Sequence, residues 1–162
     1  MVTEAPAELT LTPINGQPTT LQQWLTTFHM VLVVLDPYTH ESAWLLPTVA
    51  RILRVYSDAD CRVAMLSTSS AEETRQFLGP YAKEFLTFAD ADREAVKALG
   101  LTRLPAIVHI RQDLSIAGKA EGWTPEEWRA LTEGLSESMQ WGNPVIPGPR
   151  DPAPFAGSPA QS

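Results

Sequence analysis

The apolar run from Met30 to Leu35 constrains the fold more than any other part of this sequence. Its residues do not alternate with polar ones, as they would in a strand with one face in water, and Asp36-Pro37 ends the run. A short uninterrupted apolar run is typical of a strand that is covered on both faces of a sheet. It is far shorter than the roughly 20 apolar residues that a membrane-spanning helix needs. We therefore expect a buried central strand here.

Strand and helix signals alternate along the rest of the chain. A period-two stretch at residues 9–12, followed by the turn signal Asn15-Gly16, predicts an N-terminal hairpin. Further strands are expected over residues 61–67, 85–89, 106–111 and 115–121, and helices are expected to begin at Thr20, Ser42, Ser70, Asp90 or Asp92, and Thr124. This order predicts an α/β fold whose mixed central sheet carries helices on both faces.

The composition divides the chain into three parts. We expect a flexible segment over residues 1–8, one domain over residues 9–141, and a proline-rich tail over residues 142–162. The tail has few large apolar residues, so it cannot offset the entropy of folding by itself, and we expect it to be extended and mostly disordered. A docked tail would have to use Val145, Ile146 or Phe155.

The charge of the chain disfavours several classes of partner. The net charge is -7 and the basic residues are scattered, so neither a nucleic acid nor an anionic membrane is an expected partner. The first residues carry no apolar region of a signal peptide. The single cysteine, Cys61, has no partner for an internal disulfide. Together these features predict a cytoplasmic protein.

Several segments carry a resemblance when they are taken in order. These segments are residues 11–21, residues 88–100, the strand that begins at Leu104-Pro105, and residues 118–122. This order, over residues 9–139, resembles the thioredoxin superfamily, in the layout of peroxiredoxins and thioredoxin-like reductases. The resemblance implies that Pro105 is the cis-proline of that family, and the alternative is an ordinary trans proline that opens a strand.

The resemblance also shows where the redox motif should lie. Alignment on Pro47, inside the second helix, places Thr39 and Ser42 where the family has Cys-x-x-Cys, and Tyr38 where an aromatic residue often precedes it. Val33 stands where thioredoxins often have a buried acid. Disulfide exchange needs an attacking thiolate and a second sulfur, which two hydroxyl groups cannot replace. The cysteine that peroxiredoxins use is missing too, so dithiol–disulfide catalysis is excluded.

Other reactive side chains have plainer interpretations. Cys61, at the start of a strand, is either a small buried apolar residue or a regulatory thiol. His40 and Glu41 belong to a solvated loop or to an acid–base pair, and no other cluster has metal-ligand spacing, so neither a metal nor a cofactor is expected. Ser42 is expected to be a helix N-cap rather than a nucleophile, and His109 a core or edge histidine.

The resemblance implies a binding groove beside the cis-proline. It would be formed by Tyr38, Leu104, Pro105, Gly122 and Trp123, with His40 and Glu41 at its edge. In thioredoxins the residue before the cis-proline pairs its backbone with a bound peptide, which needs no cysteine. The alternative for Tyr38 and Trp123 is that their rings fill the core.

Two classes of function follow. The first is a redox-inactive protein-binding module, such as a chaperone, an assembly factor or a complex subunit, whose partner is a protein or peptide segment. In this class, residues 122–128 resemble the last helix of the thioredoxin-like accessory proteins that assist hydrogenase small-subunit maturation. The second is a thioredoxin-fold enzyme with other chemistry, such as thiol or glutathione binding or conjugation, using a helix N-terminus that can hold an anion.

The missing cysteine pair predicts that the protein has no dithiol activity. The purified protein should neither reduce insulin disulfides in the presence of dithiothreitol nor consume peroxide faster than a Cys61→Ser variant, which controls for the one remaining thiol. A rate clearly above that of the variant would contradict this conclusion.

Overall fold

The central strand predicted from the apolar run is present in the computed structural model, which describes residues 2–160. In chain order the elements are β1 (Thr10–Pro13), β2 (Thr19–Thr20), α1 (Leu21–Trp24), β3 (His29–Leu35), α2 (His40–Arg54), β4 (Cys61–Ser67), α3 (Ala71–Leu78), α4 (Tyr81–Glu84), β5 (Leu86–Ala89), α5 (Glu94–Ala98), β6 (Arg103–Leu104), β7 (Ala106–Ile110), β8 (Ile116–Glu121), α6 (Pro125–Met139) and β9 (Ser158–Pro159). The predicted fold class is confirmed.

The main sheet is mixed. Its seven strands lie in the order β2-β1-β5-β4-β3-β7-β8. Strand β3 is parallel to β4, and β4 is parallel to β5. Strands β1, β7 and β8 run antiparallel to the neighbours that join them to this parallel centre. The short strands β6 and β9 form a separate antiparallel pair.

Strand β3 supplies side chains to two hydrophobic cores, one on each face of the sheet. Val31, Val33 and Leu35 pack with residues of α2 and α6, whereas its alternate residues pack with α1 and α5. Every β3 residue from Met30 to Leu35 is buried, as expected for a strand covered on both sides. Burial of each such side chain contributes roughly 1.5–3 kcal/mol to folding.

Several helix boundaries agree with the local sequence signals. Thr20 and Gln23 form a complete capping box at the start of α1. The Ser70 side chain accepts a hydrogen bond from the Glu73 N–H at the start of α3. Gly100, just after α5, has the left-handed backbone that a glycine C-cap provides, with φ of 67°.

The starts of α2 and α5 differ from the prediction. Helix α2 begins at His40 with Thr39 as its N-cap, so Ser42 lies in the first turn and is not the N-cap. The Ser42 hydroxyl instead accepts a hydrogen bond from the Asp36 N–H, at 3.1 Å. The N-cap of α5 is Arg93, in a left-handed conformation, although the Asp90 carboxylate does accept two N–H groups of the first turn.

Both ends of the described chain lie against the domain. At the N-terminal end, the Ala5 N–H donates to the Leu114 carbonyl and the Ile116 N–H donates to the Thr3 carbonyl, although flexibility was expected here. The domain boundaries at residues 8–9 and 141–142 stay predictions.

The tail is where structure and expectation differ most. It is extended, as predicted, but its described residues, 142–160, lie along the domain instead of being disordered. Asp151 forms an ion pair with Arg51 and accepts a hydrogen bond from Thr48, and the Ile146 side chain is buried. The sequence argument considered only the tail's own apolar residues. It could not include the side chains and backbone groups that the domain supplies.

Within residues 2–160, no helix is both long and apolar enough to cross a membrane.

Candidate functional site

The peptide bond between Leu104 and Pro105 is cis, as the resemblance implied. Pro105 lies between β6 and β7, and its carbonyl accepts a hydrogen bond of 2.8 Å from the Gly122 N–H. The Gly122 carbonyl in turn accepts a hydrogen bond of 2.8 Å from Nε1 of Trp128. These bonds hold the end of β8 beside the cis-proline, so the two backbone segments of the predicted groove do lie together.

Trp123 is part of the core. Its ring is fully buried and meets the Trp128 ring edge to face, with 5.2 Å between the centroids. Its Nε1 donates a hydrogen bond of 2.8 Å to the Pro152 carbonyl in the tail. Leu104 is also fully buried. Trp123 and Leu104 therefore do not form an exposed surface in the groove, because both side chains are buried.

Thr39 and Ser42, which the resemblance places at the redox motif, have structural roles at the start of α2. The Thr39 hydroxyl donates to the Asp36 carbonyl at 3.0 Å, and the Ser42 hydroxyl accepts from the Asp36 N–H. Val33, at the position of the family's buried acid, is fully buried in the core. Both hydroxyl groups are thus engaged in bracing the loop between β3 and α2, and this region holds no sulfur.

The remaining predicted groove residues lie on the surface at the same end of α2. Tyr38 is 64% exposed, and its hydroxyl donates to Glu73 at 2.9 Å, which raises the pKa of Tyr38. The exposed His40 ring stacks on Trp44, with 6.3 Å between the centroids. Glu41 is half-buried in the first turn of the helix.

The tail forms the part of the site that sequence reasoning missed. Strand β9 pairs with β6, so that Ser158 lies opposite Leu104, the residue before the cis-proline. On the other side, Phe155 and Trp123 exchange two backbone hydrogen bonds, of 2.9 and 3.1 Å. The Ala160 N–H donates to the Thr102 carbonyl at 3.0 Å. The tail therefore contacts the backbone on both sides of Pro105.

Two glycines allow this close approach. A Cβ atom on Gly122 would lie 2.4 Å from the Ala156 carbonyl oxygen. Gly157 has a φ of 86°, and a Cβ atom on it would lie 2.6 Å from the Leu104 carbonyl oxygen. Any larger residue at either position would therefore push the tail out of the groove.

Arginine side chains hold the tail from the domain side. Arg93 donates to the Ala160 carbonyl and forms an ion pair of 3.2 Å with the buried Asp36. Arg103 donates to the Gly157 carbonyl at 3.1 Å. Through Arg93, Ala160 in the tail is thus linked to Asp36 in the loop between β3 and α2.

The other reactive side chains lie outside this groove. Cys61 is buried, and burial raises the pKa of its thiol to about 11, which agrees with the first of the two alternatives, a small buried apolar residue. His29 Nδ1 lies 2.7 Å from His109 Nε2, and burial lowers the pKa of His109 to about 4. His109 is therefore a neutral core histidine at pH 7. In the part of the chain from residue 2 to 160, no three His, Cys, Asp or Glu side chains lie close enough to hold a metal ion.

Comparison with known proteins defines the class of fold. No protein-family model and no curated protein matches this sequence. The structure is similar to a mutant of peroxiredoxin Q from Xanthomonas campestris, at 15% identity and a TM-score of 0.69, covering 85% of this chain and 98% of that one. It is also similar to the thioredoxin domain of a thiol-disulfide oxidoreductase from Bacteroides vulgatus, at 14% identity and a TM-score of 0.63, covering 83% of this chain and 98% of that one.

A third similar structure includes the tail region. A hypothetical protein from Sinorhizobium meliloti has 13% identity and a TM-score of 0.70, and the match covers 99% of this chain and 94% of that one. At these identities the likeness concerns the fold alone. The chain is a thioredoxin-like fold protein, and with one cysteine it has no Cys-x-x-Cys motif.

The burial of Trp123 predicts a large loss of stability on truncation. Trp123→Ala should lower the free energy of unfolding by about 3–5 kcal/mol, because it removes a ring packed against Trp128 and the core. The matched control is Trp44→Ala, whose ring is 62% exposed, and it should change stability by no more than about 0.5 kcal/mol. Denaturant unfolding measures both, and equal stabilities for the two variants would contradict the core position of Trp123.

Proposed function

We propose that this protein is a redox-inactive thioredoxin-like protein that binds an extended segment of another protein along the backbone beside Pro105. The observation that carries the proposal is the pairing of β9 with β6, next to the cis-proline. An extended segment of chain already lies there, and it bonds to Thr102 on one side and to Trp123 on the other. A segment that takes the place of the tail would find the same backbone donors and acceptors that the tail now uses.

Strand addition suits a site without reactive groups. Main-chain hydrogen bonds supply affinity in this mode of recognition, and pockets for alternate side chains supply specificity. Two arginines add charge-assisted hydrogen bonds, because Arg93 and Arg103 both donate to main-chain carbonyls of the bound segment. Every peptide carries such carbonyls, so these contacts would be available to a partner.

A binding role also agrees with the chemistry of the rest of the chain. The one thiol, Cys61, is buried and protonated at neutral pH. We therefore favour a chaperone, assembly factor or complex subunit over an oxidoreductase. The location we propose is the cytoplasm, because a fold with one buried cysteine draws no stability from disulfide bonds.

The alternative, an enzyme that binds or conjugates thiols, has less support. Its candidate groups were the hydroxyls at the start of α2, but Thr39 and Ser42 are both bonded to the Asp36 main chain.

A peptide selection tests the proposed function. Random 12-residue peptides should be selected against the full-length protein, and the best should be mapped by backbone amide chemical shifts. We expect the largest shift changes at Thr102, Leu104 and Trp123. In a Gly157→Val background, which removes the competing tail from the groove, Arg103→Ala should weaken peptide binding several-fold because it removes a donor to the bound backbone, whereas Arg111→Ala, at the opposite end of β7, should not.

Two results would contradict the proposal. One is a selection that yields no peptide with a saturable affinity. The other is a set of peptides whose shift changes cluster away from β6 and the end of β8, for example around the exposed Tyr38 and Trp44 rings.

A further inference from the structure

We propose that residues 155–160 are the groove's own ligand, so that the groove selects extended peptides with an aromatic residue two positions before a glycine, and a partner binds only by displacing the tail. This inference rests on the proposed function and deepens it, since it states which peptides fit and what they compete with. Two observations support it. The tail packs against both hydrophobic cores, and a side chain at position 157 would clash with the Leu104 carbonyl.

The tail crosses from one hydrophobic core to the other. Phe155 packs, partly buried, against the core that contains Trp123 and Trp128. Five residues later, Ala160 is fully buried in the second core, which contains Leu104. Between these two points the chain runs past the cis-proline. Residues 155–160 therefore span the groove from end to end, with a partly buried Phe155 at one end and a buried Ala160 at the other.

The fit of this segment depends on the order of its side chains. Phe155 lies on the core, Ala156 points to solvent, and Gly157 passes directly over the Leu104 carbonyl. Gly157 also has a positive φ, which disfavours every other residue type. Pro159 lies in β9, a two-residue edge strand, where a missing N–H is tolerated. The pattern that the groove accepts is therefore an aromatic residue, then any residue, then glycine.

The tail has two parts. The first, which we call the root, is fixed to the domain at Asp151, and the second, the tip, comprises residues 155–160 in the groove. The root is held by Asp151, which bonds to Arg51, Thr48 and the Gly148 N–H. Ala153 and Pro154, between the root and the tip, are exposed. A tip held this close competes at an effective concentration on the order of millimolar. A partner in trans would therefore have to bind more tightly than the tip, or the tip would have to be released first.

The test uses full-length protein and a fluorescein-labelled peptide with the sequence of residues 152–160. In Gly157→Val the new side chain meets the Leu104 carbonyl, so the tip should leave and the groove should open. Fluorescence anisotropy should show the peptide binding to this variant at least about tenfold more tightly than to the wild type. The matched control is Ala156→Val, which adds a larger side chain on the exposed side and should bind like the wild type.

Further arms keep the test decisive. Phe155→Ser is a second releasing variant, to be used if circular dichroism shows that Gly157→Val does not fold. A labelled peptide that carries valine in place of its glycine should lose binding to both releasing variants. Size-exclusion chromatography checks that the tail binds within its own chain, and a wild-type dimer that Gly157→Val converts to a monomer would overturn the intramolecular contact.

The outcomes separate this inference from the function on which it rests. If the tail peptide binds neither releasing variant, or binds them no better than the wild type, the tail is not the groove's ligand. Selected library peptides that map to β6 would then still support the proposed function. If the tail peptide binds as expected but no library peptide maps to the groove, the tail contact stands and the proposed function fails.

Discussion

The hydrogen bond from the Gly122 N–H to the Pro105 carbonyl is the interaction on which the candidate site depends. It holds the end of β8 against the turn between β6 and β7, and so places two strand edges side by side. The Trp128 indole N–H stabilises this arrangement by donating a hydrogen bond to the Gly122 carbonyl. Because both edges are fixed by the domain, a segment of chain that enters the groove needs to supply only extended backbone and a residue small enough to pass.

The start of α2 has a structural task in this chain, which has one cysteine and no Cys-x-x-Cys motif. Thr39 and Ser42 brace the Asp36 main chain, and the Asp36 carboxylate forms a buried ion pair with Arg93. Arg93 also donates to the Ala160 carbonyl in the tail. The start of α2 is therefore connected, through Asp36 and Arg93, to the segment that fills the groove.

The sequence predicts the sheet and its helices because their signals are local: an apolar run for β3, a capping box at Thr20, and a left-handed glycine at Gly100. The cis-proline followed from the order of such segments. The tail's position could not be predicted, because β6 and β9 have two residues each and show no periodicity. For the same reason the burial of Trp123 could not be predicted, since part of its cover comes from Pro152 and Phe155, about 30 residues away.

Hydrogen exchange at three backbone amides tests the central claim most directly, namely that the tail occupies a peptide-binding groove. In the full-length protein, the amides of Trp123, Phe155 and Ala160 should exchange at least about tenfold more slowly than in an unstructured chain. Unlabelled peptide with the sequence of residues 152–160, added at a concentration well above the millimolar effective concentration of the tip, should release the tail, so Phe155 and Ala160 of the protein should lose protection while Trp123 keeps it. Free exchange at Phe155 and Ala160 before the peptide is added, or unchanged protection afterwards, would contradict the account.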